Sequence, residues 1–359
     1  MFGVYLHIPY CKTLCPYCDF VKERTRTGAP MAFVDALCRE IEAFEGPDAA
    51  ESVFFGGGTP SLLPIDGLAR ILDALAARFA LENAEITLEA NPDDLTPELV
   101  AGWRALGVNR VSLGVQSFSE PVLRYLGRRH DADAARRACD LVAAHFDTWS
   151  LDLIFGAPPI NAWEPTLREA VAIDPPHISA YGLTYEEGTP FAKRADQAVP
   201  DEVSLAMFQQ AESILSAYDH YEISNYAKPG HHARHNLIYW RNGSYAGFGT
   251  GAYSYVNGVR ARNAITTDAY LRNPGQKIEA LALGPEEERL ETLIQHFRLR
   301  EGLPREAYTA RFGRPVESDY GEPLRALINR GLLEDDGIRI RPTAEGFYLN
   351  NEIGLALVG

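Results

Sequence analysis

The sequence has no surplus of positive charge and no long apolar run, and its first residues do not resemble a signal peptide. Its 34 Lys and Arg residues stand against 49 Asp and Glu, which gives a formal net charge of −15. A surface this acidic offers no electrostatic footprint for nucleic acid or an anionic membrane, and no apolar run approaches the roughly 20 residues that span a bilayer. Residues 1–8 have neither the basic segment nor the cleavage site of a signal peptide. We therefore expect a soluble, cytoplasmic protein that has no membrane span and binds no nucleic acid.

The cysteines are few, odd in number and unevenly placed. Of the five, Cys11, Cys15 and Cys18 lie in one short loop, whereas Cys38 and Cys139 lie alone in predicted helices. A disulfide framework needs an even number and an oxidising compartment, and neither is indicated. The spacing C-x3-C-x2-C, with no fourth Cys or His beside it, makes a poor closed zinc site. Three thiolates can instead hold three irons of a [4Fe–4S] cluster, leaving the fourth iron open to the amine and carboxylate of S-adenosylmethionine.

Two kinds of segment alternate along most of the chain. Short runs rich in β-branched and aromatic residues predict strands, and amphipathic segments of helical period predict helices. The predicted strands are residues 3–8, 52–55, 85–89, 110–115, 149–155, 178–183 and 222–224, and the predicted helices are residues 31–44, 64–79, 97–106, 133–145, 163–173 and 202–218. This order predicts an α/β fold of parallel strands joined by right-handed crossovers. With six or seven such units, a partial or closed barrel is favoured over an open sheet.

Polar or glycine-rich residues follow or end five successive predicted strands. They are the cysteine loop, the run GGGTP (residues 56–60), the run EANP (residues 89–92), Gln116, and Asp152 within its strand. Ligands bind at the carboxyl ends of the strands in parallel α/β folds. These groups therefore predict one shared site at that end of the barrel.

The pattern changes after about residue 225, and we expect three parts. A barrel occupies residues 1–230, and a segment rich in His, aromatic residues and Gly covers it over residues 231–284. A small α+β winged-helix-like domain follows over residues 285–359, because its helices end in a hairpin at an Asp-Gly turn. The acidic charge argues against DNA binding by this domain.

Taken together, these motifs resemble those of the radical S-adenosylmethionine superfamily, and within it the group related to oxygen-independent coproporphyrinogen III dehydrogenase. The resemblance implies a partial TIM-like barrel, with a [4Fe–4S] cluster held by Cys11, Cys15 and Cys18 at its open top and S-adenosylmethionine beside it. The motifs that carry it are YLHIP (5–9), the C-x3-C-x2-C loop, GGGTP (56–60), EANP (89–92), GVQSF (114–118), LGRRH (126–130) and DLIFG (152–156).

The resemblance also implies contacts to S-adenosylmethionine. Gly57, Gly58 and Thr59 would let the backbone approach the methionyl amine, because glycine has no Cβ in the way. Glu89 and Asp152 would accept hydrogen bonds from the amine or the ribose hydroxyls, and Gln116 would make a neutral polar contact. Arg128 would bind the carboxylate of the cofactor. Tyr5 and Tyr17 would flank the cluster and the cofactor. A turn, a helix cap and a solvated charge are the structural alternatives for single residues, but their recurrence at strand ends favours the set.

One position departs from the dehydrogenase pattern, which reads C-x3-C-x2-C-x-C. Phe20 stands where the fourth cysteine would be, so porphyrinogen decarboxylation is not carried over. With the later HNxxYW segment, the chain instead resembles HemW-type heme chaperones, in which that segment is linked with heme binding. His235 would then ligate heme iron, with Tyr239 and Trp240 as aromatic walls. A histidine that anchors a loop or covers the barrel mouth is the structural alternative, and His231 and His232 are close enough in sequence to compete for the role.

The resemblance implies a heme chaperone. Its cofactors would be a [4Fe–4S] cluster, exchangeable S-adenosylmethionine and heme, and its partners would be heme-acceptor proteins, such as respiratory enzymes at the membrane. The alternative is an enzyme, an oxygen-independent coproporphyrinogen III dehydrogenase. A winged-helix regulator is the weakest interpretation, and the sequence leaves open both homodimer formation and the use of cofactor cleavage.

Overall fold

The computed structural model describes residues 1–358. Its strands are β1 (Phe2–Ile8), β2 (Tyr10–Cys11), β3 (Glu23–Arg24), β4 (Ser52–Gly57), β5 (Glu85–Ala90), β6 (Arg110–Gln116), β7 (Trp149–Phe155), β8 (His177–Gly182), β9 (Asp219–Glu222), β10 (Asn225–Ala227), β11 (Ser244–Gly249), β12 (Tyr253–Val256), β13 (Val259–Asn263), β14 (Lys277–Ala282), β15 (Leu303–Pro304), β16 (Leu333–Asp335) and β17 (Arg339–Pro342).

Helices separate most of these strands. They are α1 (Met31–Glu42), α2 (Ile65–Arg78), α3 (Pro97–Ala105), α4 (Glu120–Tyr125), α5 (Ala132–Ala143), α6 (Trp163–Ile173), α7 (Asp201–Ile214), α8 (Arg234–Trp240), α9 (Thr267–Arg272), α10 (Pro285–His296), α11 (Arg305–Phe312), α12 (Glu317–Asn329), α13 (Ala344–Tyr348) and α14 (Asn350–Val358). Local sequence sets several of the starts. Thr96 caps α3 by accepting from the amide of Leu99, and Asp131 caps α5 in the same way.

The main sheet has the order β14-β13-β12-β11-β1-β4-β5-β6-β7-β8-β10-β9. From β11 through β8 in that order, neighbouring strands pair in parallel, and antiparallel strands flank this block on both sides. The predicted α/β fold with a partial (β/α) barrel is therefore confirmed. The parallel strand predicted over residues 222–224 is wrong, because β9 and β10 form an antiparallel hairpin there and residues 223–224 are its turn.

The parallel strands bury apolar side chains on their outer face, against the helices, and carry mostly polar side chains on their inner face. Pairing in register places Thr87 beside Arg110, and Ser150 between Ser112 and His177. Barrels of this class are filled by layers of Val, Ile and Leu. The hydrophobic core of this protein instead lies between sheet and helices, so the barrel interior is left as a polar chamber.

Residues 231–284 both close the amino-terminal end of the barrel and extend its sheet. The helix α8 lies across the amino-terminal end of the strands, where the backbone amide of His235 donates to Glu85 (3.2 Å), the first residue of β5, and its ring bonds Ser52 (2.8 Å), the first residue of β4. After it, β11 pairs in parallel with β1, and β12 to β14 extend the same sheet. The boundaries at residues 230 and 284 stay predictions.

Residues after 284 form a smaller unit with its own hydrophobic core. Its strands make an antiparallel sheet in the order β15-β17-β16, with α10, α11 and α12 before the hairpin. The turn between β16 and β17 contains Gly337 in the left-handed region, at φ 81°. The predicted winged-helix-like architecture is confirmed. Within residues 1–358, no helix combines the length and apolar character needed to cross a membrane.

Glu40, a buried residue of α1, fastens the strands after residue 243 to the barrel. Its carboxylate accepts hydrogen bonds from the amide of Gly249 (2.9 Å), the side-chain amide of Asn263 (2.7 Å) and the hydroxyl of Tyr270 (2.7 Å). The ammonium of Lys277 lies 3.6 Å away. Because these donors come from β11, β13, α9 and β14, one carboxylate joins four elements to α1.

We expect Glu40→Ala to lower the free energy of unfolding by about 3 kcal/mol, because it leaves buried donors and a partly buried ammonium without their acceptor. Denaturant unfolding followed by tryptophan fluorescence measures this loss. Glu42→Ala, at an exposed position of the same helix, is the matched control and should change stability by less than about 0.5 kcal/mol. Equal effects of the two substitutions would contradict a joining role for Glu40.

Candidate functional site

A cavity of about 520 Å³ opens at the carboxyl ends of the parallel strands and extends into the barrel. A volume of this size suits a small organic ligand. Most of the residues predicted as ligands or contacts line it, so the structure brings them together from six separate segments of the chain. They are Cys11, Cys15, Cys18, Tyr17, Gly57, Gly58, Thr59, Glu89, Gln116, Arg128 and Asp152.

The cysteine loop lies at the mouth of this cavity. Cys11 is buried, Cys15 and Cys18 are half-buried, and none of the three forms a disulfide. The hydroxyl of Thr59 donates to the sulfur of Cys11 (3.4 Å), and the guanidinium of Arg128 donates to the sulfur of Cys15 (3.6 Å). Burial raises the pKa of the Cys11 and Cys18 thiols, so a cation at this site would be needed to hold them as thiolates at neutral pH.

The donor set can be tested against the metal centre that the sequence predicts. Within residues 1–358, no three Cys, His, Asp or Glu side chains are arranged to hold a single metal ion. Three thiols that share one cavity, with N–H and O–H donors on two of the sulfurs, suit an iron–sulfur cluster, in which hydrogen bonds to sulfur tune the potential. The residues present therefore fit a cluster with three protein ligands better than a mononuclear site.

Backbone contacts hold the loop in place on two sides. The short strand β2 pairs with β3, and the amide of Thr25 donates to the carbonyl of Cys11 (2.9 Å). On the other side, the amide of Phe191 donates to the carbonyl of Pro16 (3.0 Å), and the fully buried Phe191 ring lies 6.2 Å from that of Tyr17. The three cysteines are thus positioned by the fold before any ligand binds.

The glycine run after β4 brings bare backbone to the cavity. Gly57 has φ 103°, and a Cβ there would come within 2.5 Å of the His7 ring. A Cβ on Gly58 would come within 2.7 Å of the carbonyl of Ile8. Only glycine fits both positions, so the chain's amides and carbonyls, not side chains, form this part of the wall.

Glu89 and Asp152 are the two acids of the β5 and β7 strand ends that line the cavity. Burial raises the pKa of Glu89 to about 8, and the charge of Asp152 adds to the effect. Asp152 accepts hydrogen bonds from the hydroxyls of Ser112 (2.7 Å) and Ser150 (2.8 Å), which occupy both of its oxygens. At neutral pH the cavity therefore presents a protonated Glu89 that an approaching ammonium group would favour in its ionised form.

Arg128 is a half-buried cross-link between elements of the site. Besides its bond to Cys15, its guanidinium donates to the carbonyl of Gly114 (2.7 Å) and to the side-chain oxygen of Asn91. It thereby joins the cysteine loop to the ends of β5 and β6. Nearby, Gln116 ends β6 with φ 68°, a left-handed conformation that is uncommon outside glycine and is concentrated at functional sites.

Four predicted residues do not line the cavity. Tyr5 lies within the wall and donates from its hydroxyl to the Nδ1 atom of His7 (3.0 Å). His235 is buried behind Phe54, with its ring stacked 5.1 Å from the phenyl ring. Both of its nitrogens are engaged, Nδ1 with Ser52 (2.8 Å) and Nε2 with the hydroxyl of Tyr239 (2.8 Å). The remaining two, Tyr239 and Trp240, pack beside Tyr245 and Arg298.

Sequence reasoning missed several residues of the cavity. Those it did not single out include Arg110, Ser112, His177, Ser179, Tyr181 and Asn236. All but the last lie at alternate positions of β6 and β8, so the period of two along each strand is a signal that points to them. Asn236 carries no such signal, because only the packing of α8 against the strand ends turns it inward.

Comparison with known proteins places the chain in a family. The model of the radical SAM superfamily matches residues 5–170, and the model of the HemN C-terminal domain matches residues 283–349. The heme chaperone HemW of Escherichia coli K12 is 37% identical, over 99% of this chain and 98% of that protein. The chain belongs to the HemW family.

A second relative and a solved structure agree with this family assignment. HemW of Synechocystis is 40% identical, over 84% of this chain and 79% of that protein. A solved structure entitled coproporphyrinogen III oxidase (HemN) from Escherichia coli superposes with a TM-score of 0.85, over 99% of this chain and 89% of that chain, at 22% identity. That enzyme and this HemW family member therefore share a fold along nearly their whole length.

The raised pKa of Glu89 predicts how stability depends on pH. The folded, ligand-free protein binds this proton more tightly than the unfolded chain, whose Glu has a pKa of about 4.3. The free energy of unfolding should therefore fall as pH rises from about 4.3 to about 8, by at most about 1.4 kcal/mol per pH unit from this group. Glu89→Gln removes that contribution, so the variant should gain stability over the wild type across this range.

Denaturant unfolding at several pH values between 5 and 8 measures the difference. Glu42→Gln, exposed on α1, serves as the control and should follow the wild-type curve. Parallel curves for the wild type and Glu89→Gln would contradict a raised pKa at this position.

Proposed function

We propose that the protein is a heme chaperone that binds heme and transfers it to acceptor proteins. We further propose that it carries a [4Fe–4S] cluster on Cys11, Cys15 and Cys18, with exchangeable S-adenosylmethionine beside it. The observation that carries the proposal is the set of bacterial relatives named heme chaperone HemW, at 31–40% identity over most of the chain. Phe20 adds to it, because this side chain is 61% exposed on the cavity rim, where the dehydrogenase pattern has a cysteine.

Each part of the cavity has a role in this proposal. A bound cluster and S-adenosylmethionine would supply an open iron and one-electron chemistry. Thr59 and Arg128 stabilise charge on the cysteine sulfurs, since both already donate to them. The backbone of Gly57 and Gly58 admits the methionyl end, and Glu89 is suited to accept its amine.

His235 remains our proposed heme-iron ligand, with Tyr239 and Trp240 beside it. Burial lowers the pKa of His235 to about 3, so its ring is neutral at physiological pH and has a lone pair for iron without competition from a proton. The Nε2 atom is hydrogen-bonded to the Tyr239 hydroxyl at 2.8 Å. Iron ligation at that atom therefore requires Tyr239 to move away, which would make heme binding at this residue slow.

A second candidate function has one observation in its favour. The cavity continues below the cysteine loop as far as Arg110 and His177, near the opposite end of the barrel. The residues around Arg110 and His177 would then be available to contact a substrate, as a porphyrinogen decarboxylase would need. Anaerobic assay with coproporphyrinogen III decides between the chaperone and the enzyme. Decarboxylation of its propionate side chains, together with formation of 5′-deoxyadenosine, would establish the enzyme.

Heme titration of the anaerobically reconstituted protein tests the chaperone. We expect a shifted Soret band that saturates at about one heme per chain, followed by recovery of the heme in an added apo-acceptor protein. The same titration with Cys11, Cys15 and Cys18 replaced by Ala measures whether heme binding depends on the cluster. A Soret band identical to that of free heme at every ratio would overturn the chaperone.

The role of His235 has its own test. His235→Ala should change the Soret spectrum and weaken heme binding about tenfold or more, because a metal–ligand bond is lost. His232→Ala, which removes a ring hydrogen-bonded to Asp219 (2.8 Å), tests the competing histidine and should leave the spectrum unchanged. Tyr239→Phe frees the Nε2 atom and should speed heme binding in stopped-flow measurements. Unchanged spectra and rates in all three variants would place the heme ligand elsewhere.

A further inference from the structure

Buried polar groups without partners gather in the part of the chamber farthest from the cysteine loop. Thr87 is fully buried, Arg110 is 2% exposed and His177 is 1% exposed. The Oγ1, Nε and Nδ1 atoms of these residues, respectively, make no hydrogen bond. Thr87 pairs with Arg110 in the sheet, and both Arg110 and His177 line the cavity. Native proteins leave few such groups unsatisfied, and each one needs an explanation.

The hydrogen bonds around His177 make its free nitrogen a donor. The hydroxyl oxygen of Tyr221 accepts from the amide of Ala233 (3.1 Å), and it lies 3.0 Å from Nε2 of His177. The hydroxyl proton is therefore directed to Nε2, and Nδ1 carries the ring proton of the neutral imidazole. His177 thus presents an unused N–H group next to the cavity.

The guanidinium of Arg110 also has an unused donor. Its buried Nε–H makes no hydrogen bond, and a guanidinium has five N–H donors and no acceptor. Asp152, one of the two acids that line the cavity nearby, accepts from two serine hydroxyls. Glu89, the other, is attracted by the charge of Arg110, but the two side chains make no hydrogen bond. A buried cation left without a partner is costly, which favours a bound anion.

We propose that Arg110 and His177 form a carboxylate-binding subsite at the floor of the cavity, where Thr87 adds a hydroxyl beside the guanidinium. The guanidinium fork and the imidazole N–H match the two oxygens of a carboxylate. Phe54, Ile154 and Tyr181 line the wall above, so the ligand class is an organic acid with an apolar or aromatic body. The subsite goes beyond the proposed chaperone function and does not depend on it.

Such an acid has two sources, the propionate of a tetrapyrrole and a free small carboxylic acid. We would use 3-phenylpropionate as a probe of the free acid, with its methyl ester as the neutral control, and heme with heme dimethyl ester for the tetrapyrrole. Calorimetry measures binding of 3-phenylpropionate and its ester, and the Soret band measures binding of the two hemes. If heme causes no change of the Soret band in the wild type, the chaperone proposal is contradicted. Calorimetry with 3-phenylpropionate would still test the subsite.

Arg110→Met should weaken binding of the responding acid about tenfold to a hundredfold, because a charge-assisted hydrogen bond is removed, and should leave its ester unaffected. Arg110→Lys should restore part of the affinity. The matched control is Arg298→Met, because Arg298 also has an unpartnered Nε but packs on Trp240 outside the cavity. A response to heme identifies its propionate, and a response to phenylpropionate alone identifies a separate acid.

Thermal melting guards against a folding defect. Because the Nε–H of Arg110 is buried without an acceptor, Arg110→Met should melt no lower than the wild type without ligand. His177→Phe keeps a ring of similar shape and should also weaken acid binding. The subsite is overturned if neither acid binds more tightly than its ester, or if Arg110→Met and Arg298→Met weaken binding equally.

Discussion

The alternation of side chains along the parallel strands is the constraint on which the rest of the structure depends. In β6, Val111, Leu113 and Val115 pack in the core against the helices, while Arg110 and Ser112 face the cavity. A slip of one residue in strand register would exchange these faces, placing a guanidinium among apolar helices and leaving the chamber apolar. The hydrophobic burial that selects the register therefore also builds the site. Stability and ligand binding rest on the same pairing of strands.

The two ends of the chamber are closed in different ways, and this gives the site its direction. At the carboxyl ends of the strands, Arg128 and Phe191 hold a loop of three thiols. At the amino ends, α8 is bonded to Glu85 and Ser52 and turns Asn236 inward. A metal centre that needs soft sulfur ligands is suited to the first end, whereas N–H donors for an anion are gathered near the second. A ligand that reaches both ends must therefore span the length of the barrel.

Local sequence patterns were sufficient to predict several elements of the fold and the cysteine loop. Strand β7 and helix α6 occur at their predicted residues, since their patterns agree with the burial they experience, and the cysteine loop was evident from spacing alone. The pairing of β11 with β1 was not predictable, because it joins residues about 240 positions apart in the sequence. A Cβ on Gly247 would come within 1.9 Å of the carbonyl of Tyr253, so glycine there permits close strands. Likewise, a motif can single out His235 but cannot tell which end of the barrel it occupies.

A chamber lined with unsatisfied polar groups has a consequence for folding as well as for binding. Arg110, His177 and Thr87 each bury one polar atom without a partner, and Glu89 keeps a proton that water would remove. These groups oppose folding of the empty chain, and the outer hydrophobic core must offset them. Any ligand that supplies the missing partners then stabilises the folded state by mass action, to a degree set by its concentration over its dissociation constant. Ligand binding and folding are therefore coupled through these buried polar groups, because the same atoms that oppose folding are the ones a ligand would contact.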